Sequence, residues 1–191
     1  MSKENLLFFN TIKTVEKKNI AMISFILIII INTIIGSINL SFSDNNNFVF
    51  TIISSFFSST FTILFYFLLI YLFSKIAKGN TNKKNIWKTT TAMVLILTII
   101  NFIASIIQFI FQLDTDKFNL LSLNILNPDI RELEPINLLL FLSSYFIFLI
   151  LYTICNVKKI YAIICGLVFF FLRLVIDIGA VQLAEKLEIL L

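Results

Sequence analysis

The residues most able to do chemistry in this chain are a charged pair inside an otherwise uncharged stretch. Arg173 and Asp177 lie four residues apart within the apolar segment 160–180. At that spacing both side chains lie on one face of a helix and can form an ion pair. The pair could line a polar cavity or an ion pathway. The alternative is a structural clamp, which is favoured because one ion pair without further acids or histidines makes a poor relay.

Polar residues occur at a similar depth in every long apolar segment, and in the last segment the residue at that depth is Arg173. Counted from the nearest basic residue at about 1.5 Å per residue, they lie about 20–25 Å along their helices. The candidate buried polar layer consists of Asn32, Ser58, Ser59, Asn101, Ser143, Ser144, Arg173 and Asp177. Because lipid offers no hydrogen-bond partner, we expect these groups to face one another inside a helix bundle. Asn32 and Asn101 serve equally well as interhelical hydrogen-bonding residues without a ligand.

Five apolar segments of membrane-spanning length must position these residues. With 59% hydrophobic residues, 14% charged residues and a mean hydropathy of +0.97, the 191-residue chain does not fit a soluble domain. The predicted fold is all-α: a polytopic membrane protein whose five transmembrane helices cover about 20–40, 48–74, 89–112, 136–155 and 160–180. A helix of about 20 residues crosses about 30 Å of hydrocarbon.

Basic residues cluster beside one end of these predicted spans. Four lie in segment 1–18, five lie in the segment 75–88 and two lie in the turn 156–159, which together hold eleven of the fifteen basic residues. We name the segment 75–88 the basic hinge; it carries Lys75, Lys78, Lys83, Lys84 and Lys88. Because positively charged loops stay on the cytoplasmic side, we predict an inside N-terminus and an outside C-terminus.

Three further segments flank the spans within the single predicted transmembrane domain, residues 19–180. Segment 1–18 is predicted to be a cytoplasmic amphipathic helix on the membrane face, or else a frayed tail. The tail 181–191 is amphipathic and is expected to extend the last helix along the outer interface. The outer loop 113–135 holds both prolines and five acids, and it is either a solvated lid or a binding surface.

Residue types required for common enzyme and metal chemistry are missing from these patterns. Histidine is absent, Cys155 and Cys165 form no CxxC pair, and no glycine-rich phosphate loop occurs. We therefore expect no catalytic residue, no metal and no cofactor. The basic residues flank the spans instead of forming a separate face, which argues against a nucleic-acid partner. Both cysteines are expected near the cytoplasmic side, where thiols stay reduced.

Two segments carry a resemblance to a known family. The basic hinge, read as Phe-Ser-Lys-Ile-Ala-Lys-Gly-Asn over residues 73–80, separates the second and third spans, and Asn-Val-Lys-Lys-Ile-Tyr-Ala over 156–162 leads into the last span. On these features the chain resembles the YIP-domain family, the Ypt/Rab-interacting membrane proteins and their bacterial relatives. The resemblance implies a non-enzymatic, five-span protein that works through partners, here in a bacterial plasma membrane.

Two functions of different classes follow. The first is an accessory or scaffold subunit that acts through another membrane protein, for example a transporter or an export complex. The alternative is a small transporter or channel component that uses the polar layer around Arg173 and Asp177. Both place the protein in the lipid bilayer, and both leave the ligand and the oligomeric state open.

Overall fold

Helices form most of the chain because its long apolar runs contain few glycines or prolines to interrupt them. The computed structural model describes residues 6–17, 20–40, 48–113, 119–127 and 133–190. The helices in these ranges are α1 (Phe9–Lys17), α2 (Ala21–Leu40), α3 (Phe48–Ile76), α4 (Lys83–Ile110), α5 (Leu138–Thr153) and α6 (Lys159–Leu190). The described residues contain no β-strand, so the predicted all-α fold is confirmed.

Four of these helices have the length and composition needed to cross a membrane. They contain the segments Ala21–Ile38, Val49–Ile76, Lys83–Ile110 and Lys159–Leu183. Large apolar side chains cover their outer faces, among them Phe57 at 67% exposure and Phe171 at 59%. A surface of this kind is stable against lipid and not against water. The protein is therefore embedded in a membrane.

Helix α5 is shorter than the fourth span predicted at 136–155. It has 16 residues, which rise about 24 Å. The helix begins at Leu138 because the preceding backbone pairs with the outer loop instead. Ser122 and Asn137 form an isolated antiparallel bridge, and the Leu138 amide donates to the Leu121 carbonyl at 2.7 Å. A count of five spans, and their orientation in the membrane, stay predictions.

Helix α4 is the centre of the bundle and packs against α1, α2, α3 and α5. It begins at Lys83, six residues before the third span was predicted to start, because Asn82 caps it. The Asn82 side chain accepts hydrogen bonds from the amides of Lys84 and Asn85. An asparagine at this position satisfies amides that have no partner inside the helix. The buried threonines at positions 89–91 lie along the first turns.

Helix α1 packs against α4 and α5 through its apolar face, while Asn10, Thr11, Lys13 and Thr14 on the other face are exposed. It is amphipathic, as predicted, and its position on the membrane face stays a prediction. Its apolar residues Phe9, Ile12 and Val15 are buried, and it contacts α4 and α5. The Tyr145 hydroxyl donates to the Leu7 carbonyl at 2.9 Å, about halfway along α5. The physical reason for this packing is that its apolar stripe fits a gap between α4 and α5.

The three basic segments meet at one end of the bundle. Asn85 Nδ2 donates to Glu16 Oε1 at 2.9 Å, which joins the end of α1 to the basic hinge. The Asn80 amide donates to the Cys155 carbonyl at 2.6 Å, which joins the same hinge to the turn between α5 and α6. This shared location is what the charge pattern requires if all three segments lie on one side of the bilayer.

Helix α6 continues without a break from Lys159 to Leu190, so the tail predicted to extend the last span is helical. Its 32 residues rise about 48 Å. The helix packs mainly along α5. Close approach occurs where Gly166 lies against the backbone of α5, since a methyl group at Gly166 would be 3.1 Å from the Ser144 carbonyl oxygen. Gly166 therefore lies on the α5–α6 contact, and Ala162, one turn before it, is fully buried.

Candidate functional site

The main polar cavity of the described bundle lies where the polar layer was predicted. It has a volume of about 320 Å³. Seven of the eight predicted residues line it: Asn32, Ser58, Ser59, Asn101, Ser143, Arg173 and Asp177. They come from α2, α3, α4, α5 and α6, so five helices contribute to a single space. We name this space the polar cavity.

Helical spacing explains how α3 and α4 present their polar residues. On α3, Ser58, Thr62 and Tyr66 are four residues apart and share one face; on α4, Thr98 and Asn101 are three apart. Thr62, which lies at the same predicted depth as Ser58 and Ser59, lines the polar cavity as well, and so do Tyr66 and Thr98, which the sequence analysis did not single out. The signal that could have found them is this periodicity, applied outward from Ser58 and Asn101.

Arg173 and Asp177 form the predicted ion pair. Arg173 Nε donates to Asp177 Oδ2 at 2.8 Å, and the two side chains are 45% and 25% exposed. Arg173 lies fourteen residues, or about 21 Å, along α6 from Lys159. Both charged groups line the polar cavity. The pair therefore does not close the gap between α6 and its neighbours, as a clamp alone would do.

Two further contacts organise the walls of the polar cavity. Asn32 Nδ2 donates to Ser59 Oγ at 2.8 Å, which joins α2 to α3. The Tyr66 side chain interacts with Ser143, which joins α3 to α5, and the Ser143 hydroxyl also donates to the Leu140 carbonyl at 2.9 Å. Both serines are almost completely buried. These contacts fit the predicted interhelical role of the polar layer.

The N-terminus of α5 also lines the polar cavity, a feature that the sequence analysis missed. Asn137 caps the helix by accepting from the Leu140 amide at 2.8 Å, and Asn137, Leu139 and Leu140 all line the cavity. The sequence placed the start of the fourth span at about residue 136, two residues before Leu138, but it did not indicate that this helix end faces the cavity. The positive end of the helix dipole therefore lies at the cavity wall.

Ser144 is the one predicted residue that does not reach the polar cavity. Its hydroxyl donates to the Leu140 carbonyl at 2.8 Å, and it lines a separate apolar groove with Phe141, Phe148 and Phe170. One residue along a helix corresponds to a rotation of about 100°. At this point of α5 the rotation turns Ser144 from the polar cavity, which Ser143 lines, to the apolar groove on the other side of the helix, so the structure does not place Ser144 in the predicted layer.

The basic hinge is only partly an exposed charged surface. Lys75, Lys78 and Lys84 are exposed, and Lys83 lies 5.5 Å from the centre of the Tyr71 ring. Lys88 differs, because only 8% of it is exposed and its Nζ donates to the Glu16 carbonyl at 3.4 Å. Lys88 therefore joins α4 to the end of α1 and is not available as part of a charged binding surface.

The described residues contain no cluster of side chains suited to bind a metal ion. No group of three histidine, cysteine, aspartate or glutamate side chains gathers there. Asp114 and Asp116, two of the five acids of the outer loop, lie outside the described residues. The expectation that the protein has no catalytic residue and no cofactor stays a prediction.

The fold and the cavity together define a helical, multi-pass membrane protein with an internal polar space. A scan against protein-family models finds no matching family, and searches of curated proteins and of solved structures find no matching protein. The resemblance to the YIP-domain family therefore stays a prediction, as do the partner and the type of membrane.

Proposed function

We propose that this protein is a small transporter or channel component that holds a polar solute in the polar cavity. The observation that supports this most is that five helices each direct polar groups to one open volume. Polar groups inside a membrane are costly unless they are satisfied. Residues that served only to join helices would approach each other closely and leave no such volume.

The volume of the polar cavity, together with its polar lining, supports solute binding over a purely structural role. About 320 Å³ is enough space for several water molecules or a small polar solute. Arg173 and Asp177 remain partly exposed within this space. The geometry therefore favours the second of the two functions expected from the sequence.

Cysteine labelling tests whether the polar cavity holds water. In a background with Cys155→Ala and Cys165→Ala, the Asn101→Cys variant should react with a charged, water-soluble methanethiosulfonate. The matched control is Ile103→Cys, on the same helix but 53% exposed to lipid. Its thiol should react far more slowly, because a thiolate is not stable in hydrocarbon. Equal rates at the two positions would contradict a hydrated cavity and the proposed function.

An accessory subunit is the second candidate, and the length of α6 favours it. The helix is about 48 Å long, about 18 Å more than the hydrocarbon core requires. Its exposed apolar residues include Val175, Ile176 and Leu183. A partner membrane protein in a bacterial plasma membrane could dock along this helix.

Truncation distinguishes the accessory role from the cavity. A chain ending at Ala180 keeps Arg173 and Asp177 but loses the distal part of α6. If the protein is an accessory subunit, a partner present at equal stoichiometry in mild detergent should be lost on truncation. Recovery of no stoichiometric partner with the full chain would count against this second function and leave the first intact.

A further inference from the structure

We propose that the polar cavity binds an oxyanion group, a carboxylate or a phosphate, with the Arg173 guanidinium as its principal partner. This inference rests on the proposed function and specifies the chemical class of its ligand. Three independent features of the cavity support it: unused donors on Arg173, the position of the α5 N-terminus, and an unpartnered hydroxyl on α4.

The guanidinium of Arg173 has N–H donors that no described residue accepts. An arginine side chain carries five N–H groups. In the described part of the chain its one hydrogen bond joins Nε to Asp177 Oδ2 at 2.8 Å, which leaves the four N–H groups of the two Nη atoms for other acceptors. Those Nη groups belong to a side chain that lines the polar cavity and is 45% exposed. Planar donors of this kind match the two oxygens of a carboxylate or phosphate.

The local electrostatic field also favours a negative group. Asp177 compensates the formal charge of Arg173, so the ion pair alone contributes little net charge. The α5 N-terminus adds about half a positive elementary charge to the same cavity wall. Because Asn137, Leu139 and Leu140 line that wall, this partial charge acts on an anion beside Arg173. The Leu138 and Leu140 amides already donate to Leu121 and Asn137, so α5 contributes its dipole and not those two donors.

Thr98 supplies an observation that is independent of charge. It is 7% exposed and lines the polar cavity. No hydrogen bond joins its hydroxyl to another described residue, and the hydroxyl oxygen is not fully buried, so it is accessible from the cavity. A hydroxyl in this position is satisfied by water or by a ligand. Thr98 thus provides a hydrogen-bonding group to a ligand that also reaches Arg173.

An oxyanion group in the polar cavity could belong to either of two molecules. One is a small soluble anion that enters from the aqueous side. The other is a lipid whose phosphate-bearing headgroup occupies the cavity while its chains stay in the bilayer. Both present the same chemistry to Arg173 and Thr98, so the experiment needs one arm for each source.

Thermal unfolding of the full-length protein in an uncharged sugar detergent provides the measurement. The soluble arm compares sodium phosphate and sodium acetate with sodium chloride at equal ionic strength. The lipid arm compares phosphatidylglycerol with a neutral glucosyl diacylglycerol in mixed micelles. We expect a saturable rise of Tm in at least one arm, because a ligand that binds the folded state stabilises it.

The variants assign the effect to the polar cavity. Arg173→Gln should weaken the apparent affinity by about tenfold or more, because a charge-assisted hydrogen-bond pair is lost. Thr98→Val should weaken it by roughly threefold to tenfold, because one hydrogen bond is lost. The matched control is Lys158→Gln, which removes an exposed positive charge at the opposite end of the bundle and should leave the affinity unchanged. If Arg173→Gln does not fold, Arg173→Lys keeps the charge without the planar donors, and should also weaken binding.

The outcomes separate this inference from the proposed function. A Tm that responds to none of the anions or anionic lipids, or an affinity that is the same in the Arg173 and Thr98 variants, overturns the oxyanion site. If Asn101→Cys is nevertheless labelled rapidly, the hydrated cavity survives and its solute is of another class. If Asn101→Cys and Ile103→Cys react at the same low rate, the proposed function fails together with the inference.

Discussion

Arg173 and Asp177, which form an ion pair, are the two charged residues that line the polar cavity. Each group keeps the other satisfied at 2.8 Å, and both face an open volume. Inside a membrane, a single charge without its partner is more costly than a neutral pair. The stability of the bundle should therefore depend on the two residues jointly.

A double-mutant cycle tests this dependence. Arg173→Gln and Asp177→Asn should each destabilise the protein, and the double variant should be more stable than the sum of the two losses predicts. The expected coupling is about 1–2 kcal/mol, near the upper end for polar contacts between membrane helices. Unfolding in mixed detergent micelles measures it. Additive losses would show that the two side chains do not stabilise each other.

The thiol of Cys155 gives a second prediction for a single residue. Burial raises the pKa of Cys155 from 9.0 to about 11, and a hydrogen bond with Ser74 opposes only part of this rise. Since the thiolate is the reactive form, N-ethylmaleimide at pH 8 should modify Cys155 about 100-fold more slowly in the folded protein than in the unfolded one. The Cys165→Ala background isolates this signal.

The same pKa shift fixes the direction of the pH dependence. The folded-state pKa lies above the unfolded value, so the stabilisation from the neutral thiol is complete below pH 9.0 and is lost as the pH rises towards about 11. The Cys155→Ala variant should lack this alkaline loss of stability. Similar labelling rates in the folded and unfolded states at pH 8 would refute the buried position of the thiol.

Among the elements, the basic hinge is held against the α5–α6 turn at Gly79. A methyl group at this position would lie 2.6 Å from Val157 Cγ2 and 2.7 Å from the Cys155 carbonyl oxygen. The carbonyl belongs to the backbone and cannot move aside cheaply. The Asn80 amide donates to that same carbonyl at 2.6 Å, so the contact also carries a hydrogen bond. The two turns therefore form one structural unit at this end of the bundle.

The substitution Gly79→Ala tests whether the basic hinge packs against the α5–α6 turn, and Gly179→Ala is its matched control. Gly79→Ala should destabilise the protein by about 1–3 kcal/mol, because it forces the two turns apart. Gly179→Ala should be neutral or stabilise by about 0.5–1 kcal/mol, because nothing lies within 4 Å and alanine favours the helix. Thermal unfolding in detergent measures both variants. A Gly79→Ala variant as stable as Gly179→Ala would mean that the turns do not touch.

For the whole molecule, the basic segments predict the orientation in the bilayer. Thr81 in the basic hinge and Glu134 in the outer loop are both exposed, at opposite ends of the bundle. In the background without native cysteines, a membrane-impermeant maleimide should label Glu134→Cys in intact cells. It should label Thr81→Cys only after the membrane is opened. Labelling of both positions from the same side would reject the predicted threading.

The sequence determined those properties that depend on short stretches of chain. Apolar runs, their length and the position of lysines indicated a helical membrane protein, because transfer of a segment into lipid depends mainly on its own composition. The distance of each polar residue from the nearest basic residue could likewise be counted within a single segment. This is why seven of the eight residues singled out from the sequence line one cavity in the structure.

Only the tertiary structure decided which side chains face the same space. It turned Ser144 away from the polar cavity, added Thr98, and buried Lys88 against α1. It also packed α1 against α4 and α5, and it made α5 begin at Leu138, where the preceding backbone pairs with the outer loop. These features depend on how helices distant in sequence rotate and pack together, because a close-packed interior is set by the shapes of all its neighbours at once. No single segment of the sequence contains that information.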